Sequence, residues 1–203
     1  MKRYLENAIK GVCMRLGFMQ GFYIILVVAL LQGCLNVNLK SVLPDQTFYS
    51  LDNVELENQC KKKQESFALQ VNALSPYDSK DILLYNEKNE IKVLTNYKWI
   101  DLPKNMTRNA FIKVAANHCL QIDQNPPLSQ RLNTLRISIN DLYVKGTSDY
   151  EAKVYLTYEL LGYDMKRIKE GSITTSARGE NPAITLRYAM NEALQKIAKE
   201  IKK

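Results

Sequence analysis

One histidine in 203 residues leaves little room for metal-centred or acid–base chemistry. A His-rich metal centre is excluded, and so is a mechanism that needs paired histidines. The motifs that cradle phosphates or raise a nucleophile are missing too. The chain has no G-x-x-x-x-G-K-[ST], G-x-G-x-x-G, G-x-S-x-G or H-E-x-x-H, so it should not hydrolyse ATP through a P-loop. Long apolar runs are also scarce. Gln20 and Gln32 bracket the longest, which falls short of the roughly 20 residues a spanning helix needs. With 46% hydrophobic and 24% charged residues, the composition is that of an ordinary folded protein.

The N-terminus departs from that average. Lys2, Arg3, Lys10 and Arg15 precede the uncharged stretch Phe22–Leu31, with Glu6 the sole acid before it. A basic start, a short apolar core and small residues after it describe an export signal. Met14-Arg15 opens a shorter version, so either Met1 or Met14 serves as the start. Leu31-Gln32-Gly33-Cys34 resembles the bacterial lipobox, with Gln32 departing from the small or apolar residue usual there. A thiol just beyond the apolar segment sits at the membrane surface, where each buried acyl methylene adds about 0.8 kcal/mol of affinity. Cys34 is therefore the expected lipidation site, residues 1–33 the signal peptide and 34–45 a polar tether. Leu35 stands where Asp would retain a lipoprotein in the inner membrane of enteric bacteria. The expected location is the cell envelope, facing the periplasm, with the outer membrane favoured.

The remainder, 46–203, carries a mild positive balance with scattered bases. Lys61-Lys62-Lys63 has no aromatic platform beside it, so it reads as a solvated loop and nucleic acid is not an expected partner. Period-two alternation predicts strands around Thr47–Leu51, Phe67–Ala73, Leu135–Asn140, Lys153–Leu160 and Lys166–Ala177. Ile82–Tyr85 and Ile91–Leu94 flank Asn86-Glu87-Lys88-Asn89 as a hairpin. Spacings of three and four predict a helix started by Asp101 and Pro103, carrying Met106, Ala110, Phe111, Val114, Ala115, His118 and Cys119 on one stripe. A second helix begins at Asn181-Pro182 and runs to the end. Two β blocks, each closed by a helix, predict a single α+β domain: a largely antiparallel sheet with two helices packed on one face.

Few residues offer chemistry. His118-Cys119 supplies two ligands about 100° apart on a helix, too few for zinc. Asp78/Asp81 and Glu87/Glu90 read as solvated turn acids among lysines. No enzyme activity, metal or cofactor is expected. Export would put Cys60 and Cys119 in an oxidising compartment as the two thiols left to pair. The alternative keeps Cys119 as a buried thiol on the helix stripe and Cys60 in an exposed loop.

The resemblance to a family rests on short segments. They are Phe48-Tyr49-Ser50-Leu51-Asp52, then Val71–Tyr77 leading through Asp78 to Ile82–Tyr85, then Tyr97-Lys98-Trp99-Ile100-Asp101-Leu102-Pro103. With the lipobox and closing helix, the chain resembles the ABC-type transport auxiliary lipoprotein family, which includes the paraquat-inducible protein C group. Lys98 stands where Arg is usual, and Leu102-Pro103 departs from the family's order. The resemblance implies a non-catalytic auxiliary component working with an MCE-domain protein, an ABC permease and an ATPase that move lipids or other apolar molecules across the envelope. Trp99 would then be either a core anchor or a partner contact. The competing reading is a stand-alone envelope lipoprotein, ligand-binding or structural.

Overall fold

The computed structural model describes residues 45–56, 60, 65–88, 90–124 and 131–202. The proposed signal peptide, Cys34 and nearly all of the tether lie outside the described residues. The strands are β1 (Thr47–Tyr49), β2 (Glu65–Ala73), β3 (Asp81–Tyr85), β4 (Ile91–Trp99), β5 (Leu120–Asp123), β6 (Asn133–Lys145), β7 (Tyr150–Leu161) and β8 (Arg167–Gly179). The helices are α1 (Pro103–Asn117) and α2 (Pro182–Lys202).

The α+β class stands, but the sheet is mixed and not largely antiparallel. β3–β4, β6–β7 and β7–β8 are antiparallel, whereas β1–β4, β2–β5, β2–β6 and β3–β6 are parallel. Connection length explains the difference. Strands joined by tight turns reverse direction, while β2 meets β5 and β6 only after the chain has crossed over through α1. β6 is the spine. β2 pairs with its first half from Phe67↔Asn133 to Ala73↔Ile139, β3 with its last residues, and β7 with its other flank. β2 and β3 thus behave as one strand interrupted by the Leu74–Lys80 excursion, with a cis Ser75–Pro76 bond at its turn.

Both helices lie on one face, α1 over β2 and β5 and α2 over β7 and β8, and they touch each other. Alternation in β6 and β7 buries Leu135, Ile137, Ile139, Leu142 and Val144 against Val154 and Leu156. From above, Met106, Phe111 and Val114 of α1 and Leu186, Met190 and Leu194 of α2 complete the core. α2 starts as its sequence predicts. The Asn181 Oδ1 accepts the N–H of Ala183 and of Ile184, each at 3.1 Å, ahead of Pro182 at the first helical position. α1 has no side-chain cap at Leu102. Instead, Asp101 accepts the Leu102 N–H at 2.7 Å and the Asn105 side chain at 3.2 Å, which together hold its carboxyl below the usual range.

α1 ends two residues before the predicted stripe does. His118 closes the helix, and Cys119 turns into the left-handed region at φ 61°, where glycine or asparagine is usual. That turn launches β5, a strand the alternation does not announce. Between β6 and β7, Gly146 sits at φ 99°, and a Cβ there would lie 2.3 Å from the Asp149 carbonyl oxygen. Only glycine fits.

Candidate functional site

The helices leave the other sheet face uncovered among the described residues. The alternation that buries Leu135, Ile137 and Ile139 turns Arg136, Ser138 and Asn140 outward. A bulge between Ile139 and Asp141 then keeps Asp141, Tyr143 and Lys145 on that same outer face. β7 adds Tyr155, Thr157 and Glu159, and β8 adds Glu170, Ser172 and Thr174. This face is polar and internally tied. Arg136 Nε donates to Gln70 Oε1 at 2.9 Å, Asn140 Nδ2 to Thr157 Oγ1 at 3.0 Å, and Arg167 pairs with Glu159 at 3.0 Å. A shallow groove of about 500 Å³ crosses it, lined by Arg136, Ser138, Thr157, Glu159, Glu170 and Ser172.

Towards β3 the face turns aromatic. The Tyr77 hydroxyl donates to Asp141 Oδ1 at 2.9 Å and lies 2.9 Å from the Tyr85 hydroxyl. Tyr85 stacks on Tyr143 with ring centroids 4.1 Å apart, and the Lys145 ammonium lies 5.9 Å from the Tyr143 centroid. Burial raises the Tyr77 hydroxyl far above the ordinary tyrosine value, helped by its bonds to Tyr85 and Asp141. Burial raises Tyr143 as well, with the Asp141 charge second. A phenol held protonated in this way is a hydrogen-bond donor and packing surface, neither a base nor an activated nucleophile. The cluster fixes the Leu74–Lys80 excursion onto β6. A larger groove of about 810 Å³ follows, between the β3–β4 and β6–β7 turns, with Lys88, Lys92 and Lys145 among its lining residues.

The residues singled out in the sequence lie elsewhere. Cys60 and Cys119 form a disulfide with Cα atoms 5.6 Å apart, just ahead of the parallel β2–β5 ladder that opens at Glu65↔Leu120. Cys119 is exposed and beyond the helix, not a buried thiol on its stripe. His118 is half-buried and bonds Gln195 at 2.6 Å. Trp99 is 1% exposed and belongs to the core, so in this structure it anchors and does not present a contact surface. Asp78 and Asp81 are not merely solvated: Asp78 pairs with Lys104 at 2.8 Å, and Asp81 with Lys98. Among the described residues no three His, Cys, Asp or Glu side chains gather as a metal site.

The segments carrying the family resemblance converge on one corner. The Ile100 N–H donates to the Tyr49 carbonyl at 2.9 Å, and the Trp99 N–H to the Lys80 carbonyl at 2.8 Å. Lys80 Nζ reaches the Ile100 carbonyl at 2.9 Å, and Asp52 pairs with Lys113 of α1 at 3.0 Å. The sequence pattern does not predict the Tyr77–Asp141 contact. Its one signal was the lapse in period two at Asn140-Asp141, inside an otherwise regular strand.

No protein-family model matches the sequence, and no curated protein does. Solved structures share the fold. A Xanthomonas campestris protein of the DUF330 family superposes with a TM-score of 0.59 at 16% identity, over 77% of this chain and 92% of that one. An uncharacterized protein does so with a TM-score of 0.54 at 10% identity, over 78% and 97%. A minor lipoprotein from Acinetobacter baumannii reaches 0.39 at 8% identity, over 68% and 92%. That last likeness is too distant to carry an argument, and the first two speak for the fold alone.

Proposed function

We propose that the chain is a lipid-anchored protein of the bacterial cell envelope that works by non-covalent binding, not by catalysis. The observation that carries this reading is the Cys60–Cys119 bridge in a chain whose Cys34 sits in a lipobox-like sequence. A disulfide in a protein of this kind belongs to an oxidising compartment, and acylation at Cys34 would tether the domain to the periplasmic side of a membrane. Leu35 favours the outer one. The tyrosines of the uncovered face, Tyr77 and Tyr143, are raised by burial and stay protonated, which suits a binding surface better than a reaction centre.

A second reading makes the protein the auxiliary component of an MCE-type lipid transporter with its ABC permease and ATPase. It is favoured by the pairing of Phe48–Asp52 with Tyr97–Pro103 at Trp99, since residues that resemble a family's motifs are then also one structural unit. Labelling cells with a clickable fatty acid tests the first reading: wild type should take the label and Cys34→Ser should not. Equal labelling of both would overturn it. Crosslinked affinity purification separates the two readings. Co-purification of an MCE-domain protein would support the second, and its absence would leave the stand-alone lipoprotein.

A further inference from the structure

We infer that two copies of this chain pair edge to edge through β8. Among the described residues β8 is hydrogen-bonded to β7 alone. Along its 13 residues every second backbone N–H and C=O therefore points away from the sheet. Proteins blunt such edges by keeping them short, by charged side chains, by proline or by a mid-strand bulge. The charges of β8 lie toward its two ends, at Arg167, Lys169, Glu170 and Arg178, and leave Gly171–Ala177 uncharged. β8 has no proline, and its one irregularity lies at its start, opposite Leu160–Leu161.

Charge selects the occupant and the register. In an antiparallel pair about a two-fold axis, residues directly opposite share a face of the joined sheet. With the axis at Thr174, Glu170 of each copy lies opposite Arg178 of the other, Ser172 lies opposite Ser176, and Thr174 meets itself. These five side chains are exposed on the uncovered face. With the axis one residue earlier, at Ile173, Glu170 would face Ser176 and both ion pairs would be lost. One residue later, at Thr175, it would face Glu180, a like charge. A second copy in the Thr174 register thus satisfies the edge and matches its charges. Arg178 stands opposite Glu151 of β7, a carboxyl lowered chiefly by its bond to Lys153 and further by the Arg178 charge, but Arg178 makes no close ion pair among the described residues. Glu170 is paired at 2.7 Å only with Arg167, and both of those side chains are more than half exposed, so that pair is readily exchanged. On the helix side the same register sets Gly171 against Ala177, small residues that leave room between the two copies. The result is a sheet continuous across the axis.

Disulfide trapping in membranes that carry the full acylated chain tests this. Opposite residues in an antiparallel pair have Cα atoms about 4.5–5.5 Å apart, within reach of a disulfide. Thr174→Cys should therefore give a reducible dimer. Ser172→Cys should not, because its two copies would lie about 13 Å apart, whereas Ser172→Cys combined with Ser176→Cys should. Charge reversal is an independent arm, read by the mass of the purified chain in sedimentation. Glu170→Lys or Arg178→Glu alone should weaken self-association by about tenfold, and the two together should restore it. A chain that stays monomeric, or a dimer indifferent to both reversals, would overturn the pairing. So would a Thr174→Cys variant that crosslinks no better than Ser172→Cys.

Discussion

The Tyr49 hydroxyl lies 3.1 Å from the Asn181 Nδ2, so the side chain that caps α2 also holds β1, 132 residues away in sequence. The oxygen of that amide caps the helix while its nitrogen donates to the tyrosine. One residue thereby couples the first strand to the last helix. Asn181→Ala should cost about 1–2 kcal/mol, since the cap and the Tyr49 bond are lost together. Tyr49→Phe should cost less, about 0.5–1.5 kcal/mol. Urea unfolding of both singles and the double would check this, the double costing less than the sum of the singles.

Reducing the Cys60–Cys119 bridge, or replacing both residues by Ser, should lower stability by roughly 4 kcal/mol in the chain-entropy model. The bridge spans a sequence separation of 59 residues. The drop in unfolding midpoint on adding a reductant measures it. The Ser double variant should be indifferent to reductant.

Trp99 is the single tryptophan of the chain and is buried at 1% exposure. Trp99→Ala should cost about 3–5 kcal/mol, through lost burial and the cavity left behind. Trp99→Phe should cost less, because part of that volume is refilled. In the wild type, emission should move to longer wavelength on unfolding, in step with far-UV circular dichroism.

Tyr77, Tyr143 and Tyr158 are all raised above the ordinary tyrosine value of 10.0, in each case chiefly by burial. A raised folded-state pKa means that the unfolded chain loses its protons first. The tyrosine contribution is therefore fully present below about pH 10 and is lost as pH climbs above it. Stability measured from pH 8 to 11.5 should fall along the upper part of that range. Tyr77→Phe should make the fall shallower, while costing about 1–2 kcal/mol at neutral pH through the lost bonds to Asp141 and Tyr85.

Much of the fold was legible because local rules produce it. Ile82–Tyr85 and Ile91–Leu94 mark a hairpin, the run Lys153–Leu160 marks a strand, Asn181-Pro182 marks a helix start, and the stripe from Leu186 to Ile201 marks the face that helix buries. Direction was not legible. Alternation at Phe67, Leu69 and Val71 says which side of β2 is buried, but nothing in it says that the partner is Asn133–Ile139 running the same way. β5 escaped because Leu120-Gln121-Ile122 is too short a pattern to separate from a helix end. Cys119 escaped for a chemical reason, since a cysteine carries none of the left-handed preference that a glycine or asparagine would have advertised. On the uncovered face, Ser75-Pro76-Tyr77-Asp78 reads as a turn, and turns are expected to be exposed. Only the fold brings that tyrosine back onto Asp141.

The spine position of β6 sets an order of assembly. β6, β7, β8 and α2 find their main partners within Asn133–Lys202, through short turns and one short connection. β2 and β3 have to wait for β6, which begins 60 residues after β2 ends, and closing such loops slows folding. A chain threaded through a membrane with its N-terminus leading would therefore deliver its dependent strands before their template. The C-terminal half is thus expected to condense first, with the N-terminal strands docking onto it afterwards. Shortening the chain from its end removes that template, whereas trimming it from the start removes only what docks last.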